Sequence, residues 1–256
     1  MVLVLLLSSN VEAASYVFSE NKRKDCDILT KNDPTTLKTL TFISKKKLLA
    51  FDGRSESSRR ANFFLFNAVF EKGNAISIRV NSEFKTKDKA EEQALKYGRM
   101  AGQLPNFLRT SVQNITIHRG QPTWRAEGDI YNIIIHTNRY GTSASRTPRK
   151  CVEEVMLHES SHISLDRALG SVWKKLIKAD GKFISSYAKK YPDREDIAET
   201  VLWWVAVRCK TDRISESNYK KILEAIPNRL KYLDEQNYDT YPMVCKKCKN
   251  LLGIVL

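Results

Sequence analysis

Two of the four histidines in this 256-residue chain stand four apart, with a glutamate directly after the first, in the run VMLHESSHISLD. At about 100° per residue, His158 and His162 share one face of a helix, and both imidazoles can reach a single ion. Glu159 then stands beside that ion, where a carboxylate can hold a water and take its proton. By composition alone the five-residue pattern arises in roughly one chain in a hundred of this size. Its meaning therefore depends on what else the chain supplies.

The apolar stripe of the same helix is Val152, Val155, Met156 and Ile163. Glu159 falls in its middle, His162 and Asp166 within or beside it, and His158 on its flank. Ionisable groups where the pattern calls for core are costly unless they are paired or bind metal. A structural, satisfied histidine pair is the bland alternative. Asp166, one turn past His162, either backs a ligand histidine or pairs with a Lys or Arg.

A zinc hydrolase needs a third protein ligand and an open coordination position. The residues after His162 are ISLDRAL, without the glycine and third histidine of the metzincin pattern. A later helix offers another route. EDIAETVLWWVAVRC (195–209) is almost wholly apolar after Thr200 and reads as buried on most sides, with Trp203 and Trp204 as core. Glu195 and Glu199 lie one turn apart, on one face with Leu202 and Ala206. Carboxylates on a buried helix call for a cation or a donor. Glu195 as ligand, with Glu199 accepting the outer N–H of a ligand histidine, meets that need. The alternative is that both simply face the positive end of the helix dipole.

HESSH followed by SSYAKKYPDREDIAE resembles the glutamate-ligand zincin metallopeptidases, in particular the catalytic domain of anthrax lethal factor and its relatives. The resemblance spans residues 151–208. It implies His158, His162 and Glu195 on one zinc ion, Glu159 as general base, Glu199 behind the ligands and Tyr187 as oxyanion stabiliser. The Tyr-to-Glu spacing is one residue longer here, with Tyr191-Pro192 inserted, which makes Tyr191 the alternative to Tyr187.

These residues need elements to position them. Residues 37–54 read as a strand ending at Asp52-Gly53, and 61–70 with 75–84 as a hairpin turning at Gly73. Residues 85–102 read as a helix, 112–118 and 129–138 as strands, the latter as a long edge strand able to take substrate backbone by strand addition. His118 and His136 end strands and read as surface polar groups or as lining of the cleft. A loop covers 141–148. Helices follow at 151–167, 170–190, 194–210 and 217–235, the last broken at Pro227. The expectation is an α+β, zincin-like fold: one two-lobed domain over 14–256, strand-rich at 37–140 and helical at 150–240, around a zinc cleft.

The composition, 42% apolar and 28% charged, excludes a disordered chain. The net charge of +14 contains no long basic block and reads as a solvated basic surface, or as attraction to an anionic glycan or cell surface. MVLVLLLSSNVEAAS reads as a secretory signal cleaved near Ala13, or else as a buried first strand. A secreted chain argues against nucleic acid as partner, and no segment is long enough to span a bilayer. Of five cysteines, Cys151 and Cys209 are expected to pair. The CKKC at 245–248 reads better as disulfide partners, one of them for Cys26, than as a redox or zinc motif. NIT at Asn114 is a glycosylation sequon. Together these features point to a secreted zinc metallopeptidase acting on peptides or proteins. Its rival is a non-catalytic zinc-stabilised domain that binds an anionic glycan or cell surface.

Overall fold

A computed structural model describes residues 16–18, 27–120, 125–127, 131–137 and 152–246. The N-terminal apolar run, the 141–148 loop, Cys26, Cys151, Cys248 and the LLGIVL tail lie outside them. In chain order the elements are β1 (Tyr16–Phe18), β2 (Leu37–Asp52), β3 (Ser57–Phe70), β4 (Ile76–Asn81), α1 (Lys87–Gln103), α2 (Asn106–Arg109), β5 (Asn114–His118), β6 (Arg125–Glu127) and β7 (Asn132–His136). Then come α3 (Val152–Asp180), β8 (Phe183–Ser185), α4 (Ser186–Lys190), α5 (Asp196–Cys209), α6 (Glu216–Ala225) and α7 (Pro227–Glu235). The chain is α+β, with strands first and helices after.

The main sheet has the order β2-β3-β4-β5-β7-β6. Strands β2, β3 and β4 pair antiparallel, β4, β5 and β7 pair parallel, and β6 returns antiparallel to β7. The parallel centre is buried on both faces, so its strands are runs of isoleucine (Ile115, Ile117, Ile133, Ile134, Ile135) rather than alternating patterns. This corrects the placement of an edge strand at 129–138. All five residues of β7 are buried, and the edge belongs to the three-residue β6. The opposite edge, β2, carries a register irregularity between Phe42 and Ser44 and exposed Lys45, Lys46 and Lys47. A bulge and lysines are how an open edge resists pairing with another chain.

Helix α1 packs on β2, β3 and β4 through a face of small residues. Thr86 caps it by accepting from the Lys89 N–H. Gly102 is required by close approach: a Cβ there would lie 2.2 Å from Thr35 Oγ1 and 2.8 Å from the Leu37 nitrogen.

Helix α3 is one continuous helix, where the pattern suggested two. Gly170 lies inside it, with nothing within 4 Å of the position a Cβ would take. A lone glycine costs about 1 kcal/mol, too little to break a helix anchored on either side by buried Leu165, Leu169 and Trp173. The helix stops at Asp180, and Gly181 takes φ +64. The expected helix over 170–190 thus gives way to β8 and the short α4. Strand β8 pairs parallel with β1, a contact that two three-residue strands could not announce by periodicity. Pro227 sits at the start of α7, where its missing N–H costs nothing.

A single apolar core links the halves, from Phe64, Phe66 and Tyr97 through Met156 and Trp173 to Trp203 and Trp204. Trp203 stacks on Phe18 at 4.1 Å, and Trp204 donates its indole N–H to Asp234. Cys209 pairs with Cys245 rather than Cys151, because α5 ends against the 241–246 segment, where Lys246 N–H bonds the Arg208 carbonyl. The sequon lies in β5, where Asn114 is half-buried and accepts from Arg79, and Thr116 is buried and donates to Asn132. No helix among the described residues is long and apolar enough to cross a membrane.

Candidate metal centre

The buried stripe of α3 is rotated from the one the apolar pattern suggests. Ser160 and Ser161 are fully buried, both hydroxyls donating to the Leu157 carbonyl at 2.8 Å, whereas Val152 and Val155 are only half-buried. Small serines at the contact leave His158, Glu159 and His162 at the margin of the core. The imidazole side chains retain 14% and 16% exposure, so solvent and solutes reach them.

Helix α5 packs along α3 and brings Glu195, its N-cap residue, over the histidines. His158 Nε2 lies 3.2 Å and His162 Nε2 3.3 Å from Glu195 Oε2, and the two Nε2 atoms are 3.1 Å apart. Three donor atoms thus form a nearly equilateral triangle. Tetrahedral zinc with bonds of about 2.0–2.1 Å sets its ligand atoms about 3.3 Å apart, so the residues fit that ion. They are also the one group of three potential ligands that converge in this way among the described residues.

Each outer imidazole nitrogen faces its own carboxylate. His162 Nδ1 is 2.8 Å from Asp166 Oδ2, and His158 Nδ1 is 3.5 Å from Glu199 Oε1. Such partners fix ring orientation and make the inner nitrogen a better ligand. Asp166 therefore pairs with His162 and not with a Lys or Arg. Glu159, half-buried, adds negative charge felt by both rings. Burial alone would make both imidazoles weaker bases, but the surrounding carboxylates more than reverse this, taking His162 up to about 10 and His158 in the same direction. Burial would raise Glu195; its hydrogen bonds with His158 and His162 instead hold it well below the carboxylate range. The whole cluster is a field that favours positive charge.

Tyr187 opens the first turn of α4. Burial, followed by the neighbouring Glu195 carboxylate, pushes its phenol up, so it stays protonated. Tyr191, the alternative, is 37% exposed and meets Tyr187 edge to face at 5.4 Å. The structure thus brings the Tyr187 hydroxyl to the Glu195 carboxylate.

Four groups were not singled out in the sequence. Arg194 reaches to 3.7 Å from Glu195 Oε1 from an exposed position. Buried Asp196, next to Glu195, accepts from Trp173 Nε1 at 2.7 Å and from Arg229 Nη1 at 2.5 and 2.6 Å. Arg229 is fully buried and also holds Asp180, at the end of α3, at 2.7 Å. This network pins the start of α5 to α3 and α7. An Asp next to Glu195 carries no signal of its own; its partner lies 33 residues away. The fourth, Ser185, ends β8 and caps α4, as a serine before a short helix suggests.

His118 and His136 do not line this centre and are not surface groups. Each is 1% exposed, and their rings stack at 5.2 Å at the ends of neighbouring parallel strands. Asn81 Oδ1 accepts the Glu83 N–H, which turns its amide NH2 toward His118 Nδ1 at 3.0 Å. His118 Nδ1 is therefore an acceptor and the neutral ring carries its proton on Nε2.

Comparison of the chain with family models, with curated proteins and with solved structures finds no match in any of the three.

Proposed function

We propose that this chain is a secreted zinc-dependent metallopeptidase. The observation that carries the proposal is the convergence of His158 Nε2, His162 Nε2 and Glu195 Oε2 to within 3.3 Å of one another, with Glu159 alongside and the cluster reachable from solvent. Zinc held by these three atoms would supply a Lewis acid that polarises a scissile carbonyl and acidifies a water near neutral pH. Glu159 accepts the proton of the attacking water and returns it to the departing amine. Tyr187, protonated because burial and Glu195 disfavour its phenolate, donates to the carbonyl oxygen as it gains charge. Asp166 and Glu199 keep the two histidine rings in place throughout. The Cys209–Cys245 pair is in keeping with an oxidising destination.

The test is metal analysis of the purified protein together with digestion of a peptide library. Wild type is expected to hold one zinc and to cleave. Glu159→Gln is expected to keep the zinc and lose cleavage by about 10²-fold or more. His158→Ala, His162→Ala and Glu195→Ala are expected to lose both. Zinc without cleavage would leave a non-catalytic, zinc-stabilised domain; a chain that binds no zinc would leave neither.

A further inference from the structure

Ser185 is 3% exposed and lies between Glu199 and the first turn of α4. Its hydroxyl has one proton to give, and gives it to Glu199 Oε2 at 2.6 Å. Ser185 Oγ in turn accepts the Ala188 N–H at 3.0 Å, closing the first turn of α4. Glu199 presents its other oxygen, Oε1, to His158 Nδ1. The helix that Ser185 caps carries Tyr187 two residues on. A single buried hydroxyl, with both bonding roles used, thus joins the carboxylate behind one histidine to the helix that presents the tyrosine.

We infer that Ser185 is a positioning residue for the metal centre, resting on the metallopeptidase reading above. It orients Glu199 so that His158 offers Nε2 to the metal, and it sets the entry of α4 so that the Tyr187 hydroxyl stays beside Glu195. An ordinary helix cap would do neither: it needs only an acceptor for the Ala188 N–H, and the proton sent to Glu199 would be superfluous. Strand β8 supplies the rigid support, because Ser185 is in register with Phe18 of β1 and its backbone is extended, at φ −141 and ψ 162.

The experiment compares wild type, Ser185→Gly, Ser185→Thr, Glu199→Gln and the Ser185→Gly/Glu199→Gln pair. Glycine is a tolerated cap residue, so Ser185→Gly removes the hydroxyl while sparing the helix start. Zinc affinity is measured by competition with a chromophoric chelator, and kcat and KM at saturating zinc. Ser185→Gly is expected to weaken zinc binding about 10- to 100-fold. Its kcat should fall about tenfold or more with little change in KM, as misplacement of a transition-state donor requires. Ser185→Thr, which keeps the hydroxyl, should restore most of both. The double variant should bind zinc about as weakly as the weaker single variant, because both act through one bond. Zinc affinity equal to wild type in Ser185→Gly, or losses that add fully in the double variant, would overturn the inference alone. A wild-type chain that binds no zinc would overturn the metallopeptidase reading and this inference with it.

Discussion

Each imidazole in this protein is defined by the atom that faces its nitrogens. At the candidate metal centre the facing groups are carboxylates, and the rings are good bases. At His118 the facing group is an amide donor in a dry interior, and burial, as the largest effect, lowers the ring to about 4. The consequence for stability has a definite sign. Between about pH 6.5 and about pH 4 the unfolded chain takes up a proton at His118 that the folded chain refuses, so this contribution is lost as pH falls through that window. The loss amounts to about 2 kcal/mol from pH 7 to pH 5. Urea unfolding of wild type and His118→Gln at the two pH values measures it: the variant's stability should change less on acidification by about that amount. Equal pH dependence in both would show that His118 is charged in the fold.

The helices are aligned by buried ion pairs as much as by apolar contact. Arg229 on α7 holds Asp180 of α3 and Asp196 of α5 with no solvent access to any of the three side chains. Removing the arginine leaves two buried carboxylates without their cation. Arg229→Met is expected to cost about 3–5 kcal/mol, read from the denaturant midpoint, and to weaken zinc binding because Asp196 adjoins Glu195. A second clasp ties the segment before β2 to the helical half. Asp33 accepts from Lys210 at 2.5 Å and from Arg213 at 2.6 and 2.8 Å. Burial opposes ionisation there, but these hydrogen bonds win and bring Asp33 down to about 2. A lowered carboxyl stabilises the fold above its unfolded value near pH 4, and that stability is lost as pH falls toward 2. Asp33→Asn should therefore lower stability at pH 7 by about 2 kcal/mol and flatten the acid limb of the stability profile.

Across the whole molecule, the Cys209–Cys245 link closes a separation of 36 residues that contains α6 and α7. By chain entropy such a loop is worth about 4 kcal/mol. The double variant Cys209→Ser/Cys245→Ser should lose up to that amount, and reductant should destabilise wild type but not the variant. The segment it fastens lies over α2: Asn106 N–H bonds the Tyr241 carbonyl, and Asn106 Nδ2 bonds Asp239. The link therefore joins the C-terminal run to both halves of the fold. The β2 edge, unpaired on its outer side among the described residues, is a property of the same scale. Lys45, Lys46 and Lys47 replaced by threonine should raise self-association at high concentration, as seen by light scattering.

Much of the centre was legible in one dimension because its chemistry is periodic. His158, Glu159 and His162 on one helix, and Glu195 and Glu199 on another, are set by the 3.6-residue turn, which is local. The strands of the hairpin and the division into a strand-rich and a helical half were legible for the same reason. What tertiary structure alone decided was every pairing across the chain. The rotation of α3 followed from Ser160 and Ser161, whose small volume mattered more than the valines that looked apolar. The Tyr187 side chain met the Glu195 carboxylate because residues 181–190 broke into a strand and a short helix. Cys209 met Cys245, β7 moved to the interior of the sheet, and two strand-end histidines went under cover. Each of these depends on which surfaces meet, and a contact between distant residues leaves no periodic trace in the sequence that makes it.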